Sequence, residues 1–284
     1  MNFRERGVLF DCAGEALVGV LAEPELSSHV GVLIVVGGPQ YRAGSHRQFL
    51  LLARRLAAAG FPVLRFDYRG MGDSTGGPRN FENIDDDLAA AMQVFQSECP
   101  HVRRVALWGL CDGASAALLY WKYSKDVRLA GLVLLNPWVR SEATLARTRI
   151  KHYYGNRLLQ KDFWKKLVSG QFDLLQAASG IFATLGQLCT RRNRGERIQE
   201  GDFPEKMALA FHHFPGRILL VLSGRDYTAR EFEECVVSTP AWQGALQRSG
   251  LRTEVVEDAD HTFSRDAWAR QVENLTLDWL FSLS

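Results

Sequence analysis

The chain lacks the long apolar run that a bilayer-crossing helix requires, about 20 residues. Its continuous β-branched stretch, VGVLIVV at 30–36, is far shorter. The opening residues, MNFRERGVLFDCAG, lack the apolar core of a secretory signal. No charge of one sign dominates: 34 Lys and Arg stand against 32 Asp and Glu, net +2, which gives no global reason for nucleic-acid binding. The five cysteines are odd in number and without CxxC spacing, which argues against a disulfide framework or a zinc site. HExxH is missing, RGMGDSTGG (69–77) lacks the last glycine of a dinucleotide fingerprint, and GPQYRAGS lacks the lysine of a phosphate-binding loop. These absences lead us to expect a cytoplasmic protein with no metal, no cofactor, no membrane span and no nucleic-acid partner.

What is present is an alternation. Content of 46% hydrophobic and 23% charged residues is that of a soluble globular protein rather than a disordered or fibrous one. Two short strand-like runs at 4–10 and 16–22 flank the turn-like cluster DCAGE. The run at 30–36 suits a strand covered on both faces. A helix is expected at 45–59, opening at Ser45 and closing at Gly60, then a strand at 62–66. A helix at 81–98 carries Ile84, Leu88, Met92 and Phe95 on one face. Strand 102–108, helix 112–123 and strand 129–135 follow. The rhythm stops after Asn136-Pro137 and restarts with RILLVLSG at 217–224, LRTEVVE at 251–257 and a closing helix at 265–281. The expected architecture is α/β: an eight-stranded, mostly parallel, doubly wound sheet built from 1–137 and 215–284. The interlude at 138–214 is too long for one crossover and reads as an inserted helical cap. It holds thirteen Lys and Arg against seven Asp and Glu, leaving 21 basic and 25 acidic residues elsewhere, so a cap favouring anionic substrates is one reading and a solvated face the other.

The chemistry-bearing stretch is VALWGLCDGASAALLYW at 105–121. Gly109-Leu110-Cys111-Asp112-Gly113 is G-x-nucleophile-x-G between a strand and a helix, a nucleophile elbow with cysteine at its centre. Ser115 is unsuited to that role because it falls inside the helix. A base and an orienting acid must come from later loops, in the order nucleophile, acid, histidine. Asp226 follows the next-to-last strand and His261 follows the last. Two backbone donors are needed for the developing oxyanion. One is the N–H of Asp112; the other is expected from GGPQYRAGSHRQF (37–49), where Pro39 has no N–H and Gln40 is preferred, with Tyr41 as an alternative. Tyr41, His46 and Leu110 are expected to line the substrate pocket.

RFDYRGMGDS at 65–74 resembles the R-x-D-x-R-G-x-G-x-S segment of many α/β-hydrolases. With the elbow, Asp226 and His261, this resemblance covers the chain outside the interlude. Cysteine in place of serine is similar to dienelactone hydrolase, whose resemblance implies a Cys-His-Asp triad. More narrowly, GGPQYRAGSHRQF, GFPVLRFDYRGMGDS (60–74) and WGLCDGAS (108–115) resemble the exosortase A system-associated hydrolases, type 1 group. That bacterial family accompanies exopolysaccharide and protein-sorting gene clusters, and the resemblance implies a hydrolase or acyl-transfer role there.

A thiol, with an ordinary pKa of about 8.5, becomes a nucleophilic thiolate beside an imidazolium and a helix N-terminus. The expected reaction is attack by Cys111 on an acyl carbonyl to give a thioester, with His261 relaying protons and Asp226 fixing its tautomer. The neighbouring Asp112 carboxylate works against the thiolate unless it points away. Small-molecule esters and thioesters fit better than amides, whose amine leaves less readily. The alternatives are an acyltransferase to a sugar or other alcohol, and a non-catalytic binding module on the same fold.

Overall fold

The computed structural model describes residues 2–38, 40–140 and 202–283. Its sheet has eight strands: β1 (Phe3–Cys12), β2 (Glu15–Pro24), β3 (Val30–Val35), β4 (Val63–Phe66), β5 (Arg104–Leu110), β6 (Leu129–Leu135), β7 (Arg217–Ser223) and β8 (Leu251–Val256). They lie in the order β1-β2-β4-β3-β5-β6-β7-β8. β1 pairs antiparallel with β2, and β2 with β4; every later pairing is parallel. This is the expected mostly parallel, doubly wound sheet.

The central strands are apolar runs because both their faces are covered. All six residues of β3 are buried, as are the last six of β5 and of β7. Alternate side chains enter two cores. Leu33, Val35, Val105, Leu107, Leu132, Leu134, Leu220 and Leu222 pack with α2 (Asp85–Glu98), α3 (Asp112–Ser124), α4 (Phe203–His213) and α5 (Tyr227–Ser238). Val32, Ile34, Ala106, Trp108, Val133, Leu219 and Val221 pack with α1 (Gln48–Ala58) and α6 (Asp266–Phe281). At about 25 cal/mol per Å² of buried apolar surface, these two layers supply the folding drive. Among the described residues, no helix is long and apolar enough to cross a membrane.

Two local expectations shift. Ser45 does not open α1: Ser45–Arg47 is a short 3-10 turn in which His46 and Arg47 take left-handed backbones, φ 53° and 61°. The helix starts at Gln48 because Ala43 O accepts from the N–H groups of Phe49 and Leu50. Gly60 closes the helix as expected, at φ 99°. Of the interlude at 138–214, residues 141–201 lie outside the described residues. Its two ends are core: residues up to Arg140 and from Phe203 onward form one compact unit. Met207, Ala208, Ala210 and Phe211 of α4 are fully buried in the α3 layer, where Phe211 stacks on Trp242.

Candidate active site

The carboxyl ends of the parallel strands converge on one edge, which is where open α/β sheets hold ligands. β5 delivers Cys111, β7 delivers Asp226 and β8 delivers His261, so the three residues expected from chain order come together. Cys111 has φ 59° and ψ −125°, a sharp corner between β5 and α3. A non-glycine residue in such a conformation costs on the order of 1–3 kcal/mol and persists only where its surroundings enforce it. The enforcement is visible. Cys111 N–H donates to Leu135 O at 2.9 Å, and its carbonyl accepts from Ala114 and Ser115 at 3.1 and 3.2 Å. The glycines allow the crossing: a Cβ on Gly109 would meet Gly113 O at 2.4 Å, and one on Gly113 would meet Val35 O at 2.5 Å.

His261 Nδ1 donates to Asp226 Oδ2 at 2.8 Å, and the Cys111 side chain is near enough to the ring to raise its pKa. The Asp226 hydrogen bond is the largest reason that the His261 pKa is pushed up to about 10, with the Cys111 side chain next; burial opposes both. Burial pushes the Asp226 carboxyl up, but the His261 bond and the backbone N–H groups of Ala229 and Thr228 outweigh it and hold the carboxyl below its ordinary value. Asp226 therefore serves twice. It accepts from His261 and, as N-cap of α5, from Ala229 N–H at 3.1 Å. Asp258 instead pairs with Arg225 at 2.6 Å at the surface, and Asp260 binds Ser264. Among the described cysteines, Cys12, Cys99 and Cys235 are buried and Cys111 is partly exposed. Burial pushes the Cys12 thiol up, and that of Cys99 to about 11.

The remaining expected residues are placed unequally. Asp112 begins α3, and its carboxyl turns toward the β3 loop, where a Cβ on Gly37 would meet Oδ1 at 2.3 Å. Burial pushes that carboxyl up. The N–H groups of Gly38, Asp112 and Gly113 face it and pull the other way, yet none has hydrogen-bond geometry to Oδ1, which is buried without a partner. Gln40 uses its side chain inside its own loop, where Oε1 accepts from Ser45 N–H at 3.2 Å and from Gln48 Nε2 at 3.3 Å. Tyr41 and His46 are exposed, with His46 near enough to Asp260 to lower its pKa. Leu110, expected in the substrate pocket, is instead 1% exposed and packs in the α1/α6 core. Strand alternation sends it, with Ala106 and Trp108, into that layer.

Sequence reasoning missed two polar anchors. Fully buried Asp67 accepts from Arg42 N–H at 2.6 Å and from the Arg42 guanidinium, and also from Asp73 N–H at 3.1 Å. It thereby ties the loop after β3 to the loop after β4. The motif RFDYRGMGDS marked Asp67, but its partner lies 25 residues away. Asn136, just after β6, donates to His261 O at 3.0 Å; in the sequence it marks only the point where the strand–helix rhythm stops.

Residues 32–274 match the alpha/beta hydrolase family. The chain is 31% identical over 121 residues to the zebrafish (Danio rerio) lysophosphatidylserine lipase ABHD12, and 37% identical over 86 residues to human protein ABHD12B. These matches span 41% and 30% of this chain but only 31% and 23% of those relatives. The esterase Pf2001 of Pyrococcus furiosus superposes with a TM-score of 0.66 at 16% identity, covering 99% of this chain and 94% of that one. Dienelactone hydrolase from Anabaena variabilis superposes at 0.62 and 15% identity, covering 99% of each. At such identities the likeness concerns the fold alone.

Proposed function

This chain belongs to the alpha/beta hydrolase family, and from that premise we propose that it hydrolyses carboxylic esters or thioesters through a Cys111–His261–Asp226 triad. The observation that carries the reading is the His261 ring, held by Asp226 through Nδ1 at 2.8 Å and with its pKa raised by Asp226 first and by the Cys111 side chain next. With Nδ1–H held by Asp226, Nε2 takes the proton of the Cys111 thiol and the ring becomes imidazolium. Cys111 Sγ attacks the acyl carbon, and the C–O or C–S bond to the leaving group breaks as imidazolium gives that group its proton. A water then loses a proton to His261, attacks the thioester carbon and releases the Cys111 sulfur.

The oxyanion formed in each step is received by the Asp112 N–H and by a donor from the loop after β3. Gln40 is the residue expected there; Gly38 is a second candidate, because its N–H already faces the Asp112 carboxyl beside the elbow.

The finer family reading, an exosortase A system-associated hydrolase, rests on the three motifs quoted above; the cap expected at 138–214 is narrowed by its two ends, which belong to the core. That resemblance implies a hydrolase or acyl-transfer role beside exopolysaccharide synthesis but supplies no substrate. The cytoplasmic reading rests on the opening residues, which lack the apolar core of a secretory signal, and on the cysteine pattern. An anionic small-molecule ester suits both the basic interlude and the likeness to a lysophosphatidylserine lipase.

The test is a panel of p-nitrophenyl esters, acyl thioesters and lysophosphatidylserine, assayed with the wild type and with Cys111→Ala. The variant is expected to lose at least about 10³-fold in kcat/KM. Undiminished hydrolysis by Cys111→Ala overturns the mechanism. Faster acyl transfer to an added alcohol than to water assigns the acyltransferase reading instead.

A further inference from the structure

We propose that Asn136 is a positioning residue that clamps the acid loop and the base loop of the triad to each other, an inference that rests on the reading of Cys111, Asp226 and His261 above. Asn136 follows β6, on the strand between the nucleophile's and the acid's, and is fully buried. Its backbone is left-handed at φ 43°, and its N–H donates to Val221 O of β7 at 3.1 Å.

The side chain spends each of its polar atoms on the two loops. Oδ1 accepts from Ser223 N–H at 2.8 Å; Nδ2 donates to Ser223 Oγ at 2.8 Å and to His261 O at 3.0 Å. Ser223 Oγ in turn donates to Asp260 O at 2.9 Å. The last residue of β7, three before the triad acid, is thus joined to the backbone of the residue that carries the triad imidazole. The sheet alone does not reach this far, because the β7–β8 ladder ends at Ser223 and Val256. Beyond it, Gly224 N–H still donates to Val256 O at 3.0 Å and Arg225 N–H to Ala259 O at 3.1 Å, but nothing in those bonds holds His261 itself.

The residue type follows from the geometry. The position needs a left-handed backbone, which Asn tolerates and β-branched or bulky residues do not. It also needs one acceptor and two donors on a short stem, which only an amide provides. Asp keeps the acceptor but loses both donors and sets a carboxylate against His261 O. Gly keeps the backbone but loses the clamp. A misplacement of about 1 Å at a reacting group can cost on the order of 10²-fold in rate, so a loosened His261 loop is read in turnover before it is read in folding.

The experiment compares the wild type, Asn136→Gly and Ser223→Ala. Asn136→Gly removes the side chain while relieving the backbone; Ser223→Ala removes the hydroxyl link with no change of φ. Each is measured for ester hydrolysis (kcat and KM separately), for cooperative thermal unfolding, and for the pH dependence of iodoacetamide alkylation mapped to Cys111 by mass spectrometry. Asn136→Gly is expected to lose about 10- to 100-fold in kcat with KM within a few-fold, and its Cys111 alkylation profile to move to higher pH. Ser223→Ala is expected to shift both readouts in the same direction by less. Asn136→Asp is expected not to rescue either. If Asn136→Gly unfolds, Ser223→Ala alone decides. Variants that melt lower but keep the wild-type kcat and alkylation profile overturn the clamp and leave Asn136 a packing residue. A wild type in which Cys111 shows no selective alkylation overturns the triad reading, and this inference with it.

Discussion

Asp226 carries two duties on one carboxylate oxygen, and two substitutions separate them. Oδ2 accepts from His261 Nδ1 at 2.8 Å and from Ala229 N–H at 3.1 Å, and the residue is 7% exposed. Asn is as good an N-cap as Asp, whereas Ala forfeits about 1 kcal/mol at that position. In Asp226→Asn an amide oxygen in the place of Oδ2 keeps the cap and still accepts from His261 Nδ1, but the counter-charge that stabilises the imidazolium is lost. In Asp226→Ala the counter-charge and the cap are both lost. The two variants are therefore expected to lose activity alike, by about 10²–10⁴-fold in kcat. They are expected to differ in stability by the cap alone, about 1 kcal/mol, or roughly 2–4 °C in Tm for a chain of this size. Ester hydrolysis and calorimetry on the same preparations measure both. An Asp226→Asn enzyme within about tenfold of wild type would refute the role of the carboxylate charge in stabilising the His261 imidazolium.

Three further outcomes are expected. The His261 pKa is raised to about 10, above its unfolded value of about 6.5. The stability it contributes is then full below that unfolded value and fades as pH rises through the folded one. Unfolding free energies of wild type and His261→Gln should thus differ most below pH ~6.5 and converge toward pH ~10; a gap that widens with pH contradicts the pairing. Gly113→Ala places a Cβ 2.5 Å from Val35 O, so it is expected to cost about 1–3 kcal/mol or more by urea titration and to displace Cys111; a variant of wild-type stability and activity contradicts the close crossing at the elbow. Asp67→Asn weakens the buried tie to Arg42, and is expected to lower stability by up to about 3–5 kcal/mol together with kcat, because the loop after β3 is the proposed source of the second oxyanion donor; unchanged kcat contradicts that proposal.

The sheet was legible because its strands are buried on both faces, which writes them as apolar runs such as VGVLIVV and LAGLVLL. The elbow was legible because only glycine fits where Gly109 and Gly113 cross neighbouring backbone. Chain order then located Asp226 and His261. Other features are written in space rather than along the chain. Ser45 resembles an N-cap, but the left-handed His46 and Arg47 delay the helix, and no local pattern announces them. Leu110 sits beside the nucleophile in sequence, but strand alternation sends its side chain into the α1/α6 core rather than a pocket. The α4 helix has a buried apolar face, yet its helical pattern follows directly on a strandless charged stretch, which hid its membership of the core. Asn136 and the Arg42–Asp67 tie depend on partners 25 to 125 residues away, beyond any spacing rule.

The central claim is that the sulfur of Cys111 forms a bond to the acyl group during turnover. Mixing the enzyme with a slowly hydrolysed p-nitrophenyl ester, quenching in acid and mapping peptides by mass spectrometry tests it most directly. The expected result is one acyl group on the peptide bearing Cys111, released by hydroxylamine and absent in Cys111→Ala. An adduct on Ser115, or sustained turnover with no adduct on Cys111 under conditions that trap the nitrophenolate burst, would contradict it.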